Sequence, residues 1–264
     1  RKLDNIVNEV ERLAKNGFKE IVLTGIHIAS YGKDLGEERL IDVIEKIHSV
    51  EGIERIRLGS LEPTLITDEF MSRLSALPKA CNHFHLSLQS GSDTVLKRMN
   101  RKYTTDQFRE VTETIKKYMK DVAFTTDIIV GFPGETDEEF EETYEFVKEI
   151  GFSKVHVFQF SPRKGTPAAE HKNQVDGNIK HERSKKLIDL TNKLTTEFNR
   201  KFINKDMQVL FEESSKIKEG YMEGYTTNYI RVAVDSKEDI EGKIESVRIS
   251  SDFEEILIGE IIKK

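Results

Sequence analysis

Residues 104–136 read TTDQFREVTETIKKYMKDVAFTTDIIVGFPGET. The stretch contains one complete helix-to-strand unit with both boundaries marked. Thr104 and Gln107 have capping-box spacing, and Phe108, Val111, Ile115 and Tyr118 recur on one helical face. Ala123–Val130 then reads as a strand, closed by Gly131-Phe132-Pro133-Gly134. Thr136 and Glu139 open a second capping box before Phe140, Tyr144 and Val147.

The same alternation extends in both directions. Upstream, Leu3, Ile6, Val7, Val10 and Leu13 mark a helix stopped by Gly17, and Ile21-Val22-Leu23 is a short strand. Leu40, Val43, Ile44 and Ile47 mark a second helix, and a strand lies near Arg55–Leu58. Thr67 caps a third helix carrying Phe70, Met71, Leu74 and Leu77, and Phe84–Leu88 is the next strand. Downstream, Val155–Phe160 closes the series, with Phe158 and Phe160 expected in the core. Strict alternation predicts a parallel α/β sheet or barrel with functional loops at the strand C-termini. The series opens on a helix, so an upstream strand is expected to be missing.

After about residue 175 the pattern changes. Leu187, Leu190, Leu194 and Phe198 form a thin apolar stripe on a basic helix over 178–204. From 206 the period becomes two, through Met207, Val209 and Phe211 and later Ile230, Val232 and Val234, with turn residues at Gly220, Gly224, Asn228 and Gly242. That pattern predicts a small closed β-barrel.

Composition narrows the function classes. The 264 residues carry a net charge of −6 and one cysteine, Cys81, expected as a free structural thiol. A single thiol excludes a disulfide framework and a multi-thiolate metal site within this chain. Apolar runs fall far short of the ~20 residues of a membrane span, and the expected location is cytoplasmic. Charge is uneven: residues 160–205 hold 11 basic against 5 acidic side chains, between two acidic bodies. A basic segment suits a polyanion, although a solvated helix face reads the same way. His83 and His85 would share a strand face without other ligands nearby, so a metal site there is not expected.

The motifs carry a resemblance. His85-Leu86-Ser87-Leu88-Gln89-Ser90-Gly91-Ser92, followed by Leu96–Arg101, resembles the fourth strand and following helix of radical S-adenosylmethionine (SAM) enzymes. Thr126–Thr136 resembles their fifth strand, and Phe160–Ala169 the sixth-strand exit of their methylthiotransferase branch. The last ~60 residues resemble the TRAM domain, a small RNA-binding β-barrel. Thr24–Gly32 and the Leu-Ser-Leu-Gln form at 86–89 are most similar to the threonylcarbamoyladenosine tRNA methylthiotransferases.

This resemblance implies an architecture: a partial parallel (β/α) radical-SAM barrel over 1–175 missing its first strand, a basic linker helix over 176–204, and a TRAM-like barrel over 205–264. The family's Cys-x-x-x-Cys-x-x-Cys cluster loop and an N-terminal domain with three more cysteines have no counterpart here. The chain is therefore expected to be a fragment that binds neither of the parent's two [4Fe–4S] clusters, has no catalytic residue of its own and is inactive alone. The implied parent reaction methylthiolates C2 of N6-threonylcarbamoyladenosine at tRNA position 37, through a 5′-deoxyadenosyl radical. Rivals are the isopentenyladenosine branch, the ribosomal-protein aspartate branch and a non-catalytic RNA-binding protein.

Superfamily precedent implies SAM contacts at Thr24, Gly25, Ser60, Gln89, Arg101, Asp127 and Ser161. Arg101 offers a planar fork for a carboxylate, and Asp127 and Gln89 suit a ribose diol. Each residue has another reading: Gln89 could cap the next helix, Asp127 could hold backbone amides, and Arg101 could pair with surface acids. The Gly-x-Ile-x-Gly-x-x-Glu pattern often quoted for the fifth strand is matched at Ile129 and Gly131, but position 127 is Asp and 134 is Gly. For the tRNA anticodon stem-loop the candidates are Lys185, Lys186, Arg200 and Lys201 on the basic helix, and Tyr225, Asn228, Tyr229 and Arg231 on the β-barrel. His27, Ser30, Tyr31, Arg163 and Lys164 suit the carboxylate of a threonylcarbamoyl group.

Overall fold

The computed structural model describes residues 1–25, 28–32, 38–216, 219–236 and 238–263, and of Ala29 only the backbone. His27 lies outside the described residues. The five strands of the α/β unit follow the expected order, and eight α-helices and ten strands are described in all. They are α1 (Leu3–Lys15), β1 (Glu20–Leu23), α2 (Leu40–His48), β2 (Arg55–Leu58), α3 (Asp68–Ser75), β3 (His83–His85), α4 (Asp93–Arg98), α5 (Thr105–Tyr118), β4 (Ala123–Val130), α6 (Asp137–Ile150), β5 (Lys154–Gln159), α7 (Pro167–Glu170) and α8 (Gly177–Arg200). β6 (Asp206–Ser214), β7 (Tyr221–Thr226), β8 (Arg231–Asp235), β9 (Ile244–Phe253) and β10 (Ile256–Ile261) follow. Both capping boxes form, with Thr104 accepting from the Gln107 amide and Thr136 from the Glu139 amide.

β1 pairs in parallel with β2, and β3, β4 and β5 pair in parallel in that order. Isolated bridges at Ile56–Ala80 and Leu61–Leu86 set the two-stranded and three-stranded parallel ladders side by side. β3 is shorter than the expected Phe84–Leu88. Thr126 is the cause: its hydroxyl donates to Leu86 O at 2.5 Å and accepts from the Leu88 amide at 3.1 Å, where ladder bonds would otherwise run. Gln89 then takes a left-handed φ of 71°, uncommon for a residue with a side chain.

The pleat gives the sheet two unlike faces. Ile21, Ile56, Leu58, Phe84, Phe124, Ile128 and Val155 point into the main core, with Val10, Ile44, Met71, Phe108 and Val147 of the surrounding helices. Alternate positions, among them Glu20, Arg55, Arg57, His83, His85, Thr125, Asp127 and His156, form a polar concave face. Phe158 lies on this second face and is 53% exposed, which corrects its expected place in the core. Phe160 packs edge-on against Phe132 at 5.2 Å and is partly buried.

The C-terminal strands close into a five-stranded barrel of order β10-β8-β7-β6-β9. Its core of Val209, Phe211, Val232, Val234, Val247 and Leu257 is continued by Phe198 and Phe202 at the end of α8. Gly224 is needed here, because a Cβ would fall 2.1 Å from Leu210 O on the paired strand. The barrel docks across the concave face. Arg55 donates to Tyr225 O and Gln208 O, both at 2.8 Å. Arg57 donates to Thr227 O at 3.0 Å and Thr226 O at 3.1 Å, and grips Glu20 at 2.6 Å.

Candidate functional site

Between the concave face and the docked barrel lies a cavity of about 640 Å³, lined among others by Ser60, His85, Asp127, His156, Tyr225 and Arg231. A carboxylate, imidazoles and aromatic rings therefore share one recess. Asp127 is half-buried there, and its carboxyl is held below its ordinary value by the adjacent His85, against the opposing effect of burial. His85 Nε2 lies 3.4 Å from Asp127 Oδ2. His83, deeper in, is held neutral: burial first, then the charge of Arg57, push its pKa well below the usual imidazole value.

Strand pairing brings five of the seven expected SAM residues together, in one group of three and one of two. The Gly59 amide donates to Leu23 O at 2.8 Å, setting Ser60 beside Thr24 and Gly25 at the C-terminal ends of β1 and β2. The Gln89 amide donates to Asp127 O at 2.9 Å, so these two sit on adjacent strands. Arg101 is exposed in the turn between α4 and α5. That turn is anchored by Tyr103, whose hydroxyl donates to Ser87 O at 2.6 Å. Ser161 is exposed just beyond β5, where the Phe160 amide donates to Val130 O at 2.9 Å. The β4 exit is tight: Gly131 has φ +71°, and a Cβ there would meet Lys180 Cγ at 2.1 Å.

The residues expected to meet RNA are more divided. Lys185 and Lys201 are exposed. Lys186 pairs with Glu141 at 2.6 Å and Arg200 with Asp252 at 2.9 Å, so part of the helix charge is neutralised within the chain. Arg231 is ion-paired with Glu223. Asn228 is 2% exposed and donates to Asp121 O at 3.2 Å, across the interface with the α/β unit. Tyr225 and Tyr229 stack on each other at 4.7 Å, and Tyr229 stacks on His83 at 4.6 Å with Arg57 over its ring. Asn228 and Tyr229 thus fasten the barrel to the sheet, a use their turn-rich sequence does not reveal. Ser30, Arg163 and Lys164 are exposed on strand-exit loops as expected, and Tyr31 is partly buried.

Cys81 is buried, and burial pushes its thiol up to about 11, which fits a structural role. Among the described residues no group of three or more His, Cys, Asp or Glu is placed to hold a metal ion. With one cysteine in the whole sequence, the side chains here do not fit a [4Fe–4S] cluster. The adenosine part of SAM fits better, since Asp127 presents a carboxylate acceptor, held below its ordinary pKa, to the recess. No helix among the described residues is long and apolar enough to cross a membrane.

Comparison with known proteins adds to this geometry. Residues 1–147 match the radical SAM superfamily. The chain is 44% identical over 249 residues to the threonylcarbamoyladenosine tRNA methylthiotransferase of Bacillus subtilis, covering 93% of this chain and 55% of that protein. It is 40% identical over 264 residues to the tRNA-2-methylthio-N(6)-dimethylallyladenosine synthase of Thermoanaerobacter sp., covering all of this chain and 56% of that one. The chain thus spans about half the length of these curated relatives. Among solved structures, the radical SAM enzyme coproporphyrinogen III oxidase of Escherichia coli superposes with a TM-score of 0.57 at 13% identity, over 95% of this chain and 59% of that one. A radical SAM methyltransferase of Kitasatospora setae superposes with a TM-score of 0.53 at 16% identity, over 64% of this chain and 33% of that one.

Proposed function

Because the chain belongs to the radical SAM superfamily, we propose that it forms the SAM-binding and RNA-binding part of a tRNA methylthiotransferase acting on C2 of N6-threonylcarbamoyladenosine at position 37. The observation that supports this most directly is the 44% identity to the Bacillus subtilis enzyme across nearly the whole chain, catalytic unit and barrel alike. SAM bound here would supply radical chemistry once it received an electron from a cluster held outside these residues, chemistry that an unactivated aromatic C–H requires and no acid or base in this recess could replace. In this reading Asp127 and Gln89 receive the ribose, Thr24 and Gly25 the methionyl amine, and Arg101 the methionyl carboxylate, with Ser60 and Ser161 at the margins. The thiolates for the cluster would come from outside these 264 residues, and the chain by itself would not turn over. The division proposed is an α/β unit over 1–175, a basic helix over 176–204 and an RNA-binding barrel over 205–264, working in the cytoplasm on the anticodon stem-loop.

The test is mass spectrometry of tRNA nucleosides from cells lacking the gene. Loss of methylthio-threonylcarbamoyladenosine with methylthio-dimethylallyladenosine intact is the expected result, and the reverse would refute the substrate assignment. A second reading, the dimethylallyl substrate, is favoured by one feature: Phe158 and Val22 expose apolar surface on the concave face, as a hydrocarbon requires. Arg163 and Lys164 on the β5 exit loop favour the carboxylate instead.

Two further outcomes follow from this reading. In the full-length protein, Arg101→Ala and Asp127→Ala should each weaken SAM binding by about 1–3 kcal/mol, the scale of a lost charged hydrogen bond. Calorimetry with SAM checks it, and unchanged affinity in both returns these residues to a structural role. For RNA, reversing Lys185, Lys186, Arg200 and Lys201 to Glu should weaken stem-loop binding and flatten its salt dependence. Lys185 and Lys201 should account for most of the change, since the other two already hold acidic partners. A log–log salt slope equal to that of the unmodified chain would place the contacts elsewhere.

A further inference from the structure

We propose that His85, Thr125 and His83 are positioning residues for Asp127, forming a directed polar chain that runs from the barrel-docking interface to that carboxylate. The inference rests on the reading above that Asp127 faces SAM. The links are specific. His83 Nε2 lies 2.9 Å from Thr125 Oγ1, and the same oxygen lies 3.0 Å from His85 Nδ1. His85 Nε2 then lies 3.4 Å from Asp127 Oδ2, at the long end for a hydrogen bond. Strand register makes this possible: His83 pairs with Ala123 and His85 with Thr125, so the two imidazoles flank one hydroxyl on the same face.

The direction of the chain follows from the donor and acceptor inventory. An ionised Asp127 can only accept, so His85 Nε2 must carry a proton. In the neutral ring His85 Nδ1 is then an acceptor, and the single Thr125 proton is committed to it. The remaining Thr125 lone pair accepts from His83 Nε2, which leaves His83 Nδ1 without a proton. His83 Nδ1 is indeed a buried atom with no hydrogen-bond partner. The atom is closed off from solvent, and Tyr229 of the barrel stacks on the face of the same ring at 4.6 Å. Barrel docking therefore closes the far end of the chain. His156 on β5, with its ring centroid 6.4 Å from that of His85, is the other imidazole near the carboxylate.

A polar face that merely tolerates these residues would place no demand on their tautomers, whereas the chain requires one proton arrangement. Long-range 1H–15N spectra of the chain at about pH 8, where an ordinary imidazole is neutral, should show His83 and His85 each as a single Nε2–H tautomer. Thr125→Val preserves shape and strand propensity but removes the hydroxyl. It should leave His83, whose Nε2 proton Thr125 alone accepts, a mixture of tautomers, and Thr125→Ser should restore one. His85 should keep its Nε2 proton in Thr125→Val, because Asp127 still accepts it. A proton on His85 Nδ1, or His83 unchanged in Thr125→Val, would overturn the proposal. Titration of the full-length, cluster-loaded protein with SAM gives the second arm: Thr125→Val should bind about three- to tenfold more weakly, with Thr125→Ser close to the unmodified protein. If Asp127→Asn loses affinity while Thr125→Val does not, the positioning role fails and the cofactor reading stands. If the full-length, cluster-loaded protein takes no SAM, or Asp127→Asn binds equally well, the cofactor reading fails and takes the positioning role with it.

Discussion

Arg57→Ala is expected to cost about 3–5 kcal/mol of stability, the range for removing one partner of a buried ion pair. The Arg57 side chain is 3% exposed and Glu20, its partner, 12%. Loss of the guanidinium leaves the Glu20 carboxylate in a dry junction with one remaining cation, Arg55, at 3.7 Å. It also strips the donors from Thr226 O and Thr227 O and the cation from the Tyr229 ring. Denaturant unfolding followed by far-ultraviolet circular dichroism measures the loss. The transition should also broaden or split, because the barrel keeps its own core while one of its two arginine anchors on β2 is gone. A change below about 1 kcal/mol with an unaltered single transition would show that the docking does not depend on this residue.

Arg183→Ala is expected to have an effect of the same size, about 3–5 kcal/mol, at the opposite side of the sheet. Arg183 of α8 reaches Glu135 at 2.7 Å, with the two side chains 7% and 2% exposed. A second arm holds Asp137 at 2.7 Å at the start of α6. Glu135 in turn accepts from the Gly131 amide at 2.8 Å and so shapes the exit of β4. Burial already pushes the Glu135 carboxyl above its ordinary value, opposed by the Gly131 amide and Arg183. Without the arginine the carboxyl must take up a proton or drag water inward. The double variant Arg183→Met with Glu135→Gln should recover much of the loss, because no uncompensated charge remains. Amide exchange at Gly131 should nevertheless speed up, since a neutral amide oxygen is a weaker acceptor. Full additivity of the two single changes would refute the coupling.

How much of this was visible beforehand depends on the range of each interaction. The helix and strand order, the capping boxes at Thr104 and Thr136 and the switch to period two after residue 206 are set within a few residues of each other. A linear reading finds them. The same reading groups Phe158 with Phe160 on one face of β5 but cannot say which face the rest of the chain covers. Phe158 accordingly stands in the open concavity. Likewise Arg55 and Arg57, alternating with Ile56 and Leu58, look like the wet side of a strand. They become 3% exposed only because the C-terminal barrel, some 170 residues later, lies over them.

The candidate site divides along the same line. Gln89, Asp127 and Thr24 lie in family motifs and Ser60 at a strand end, and strand C-termini in an alternating α/β chain converge on one rim whatever the details of packing. The sequence by itself therefore determined the parallel α/β unit, the small barrel after it, the family motifs and the lack of thiolates for a cluster. What Asp127 faces was decided only by tertiary structure. His83 and His85 meet Thr125 across a ladder pairing residues 40 apart, and Tyr229 reaches His83 only through domain docking. Local periodicity encodes which residues share a face. Burial, proton arrangement and ion pairing are properties of two surfaces brought together, and they exist only once the chain has closed.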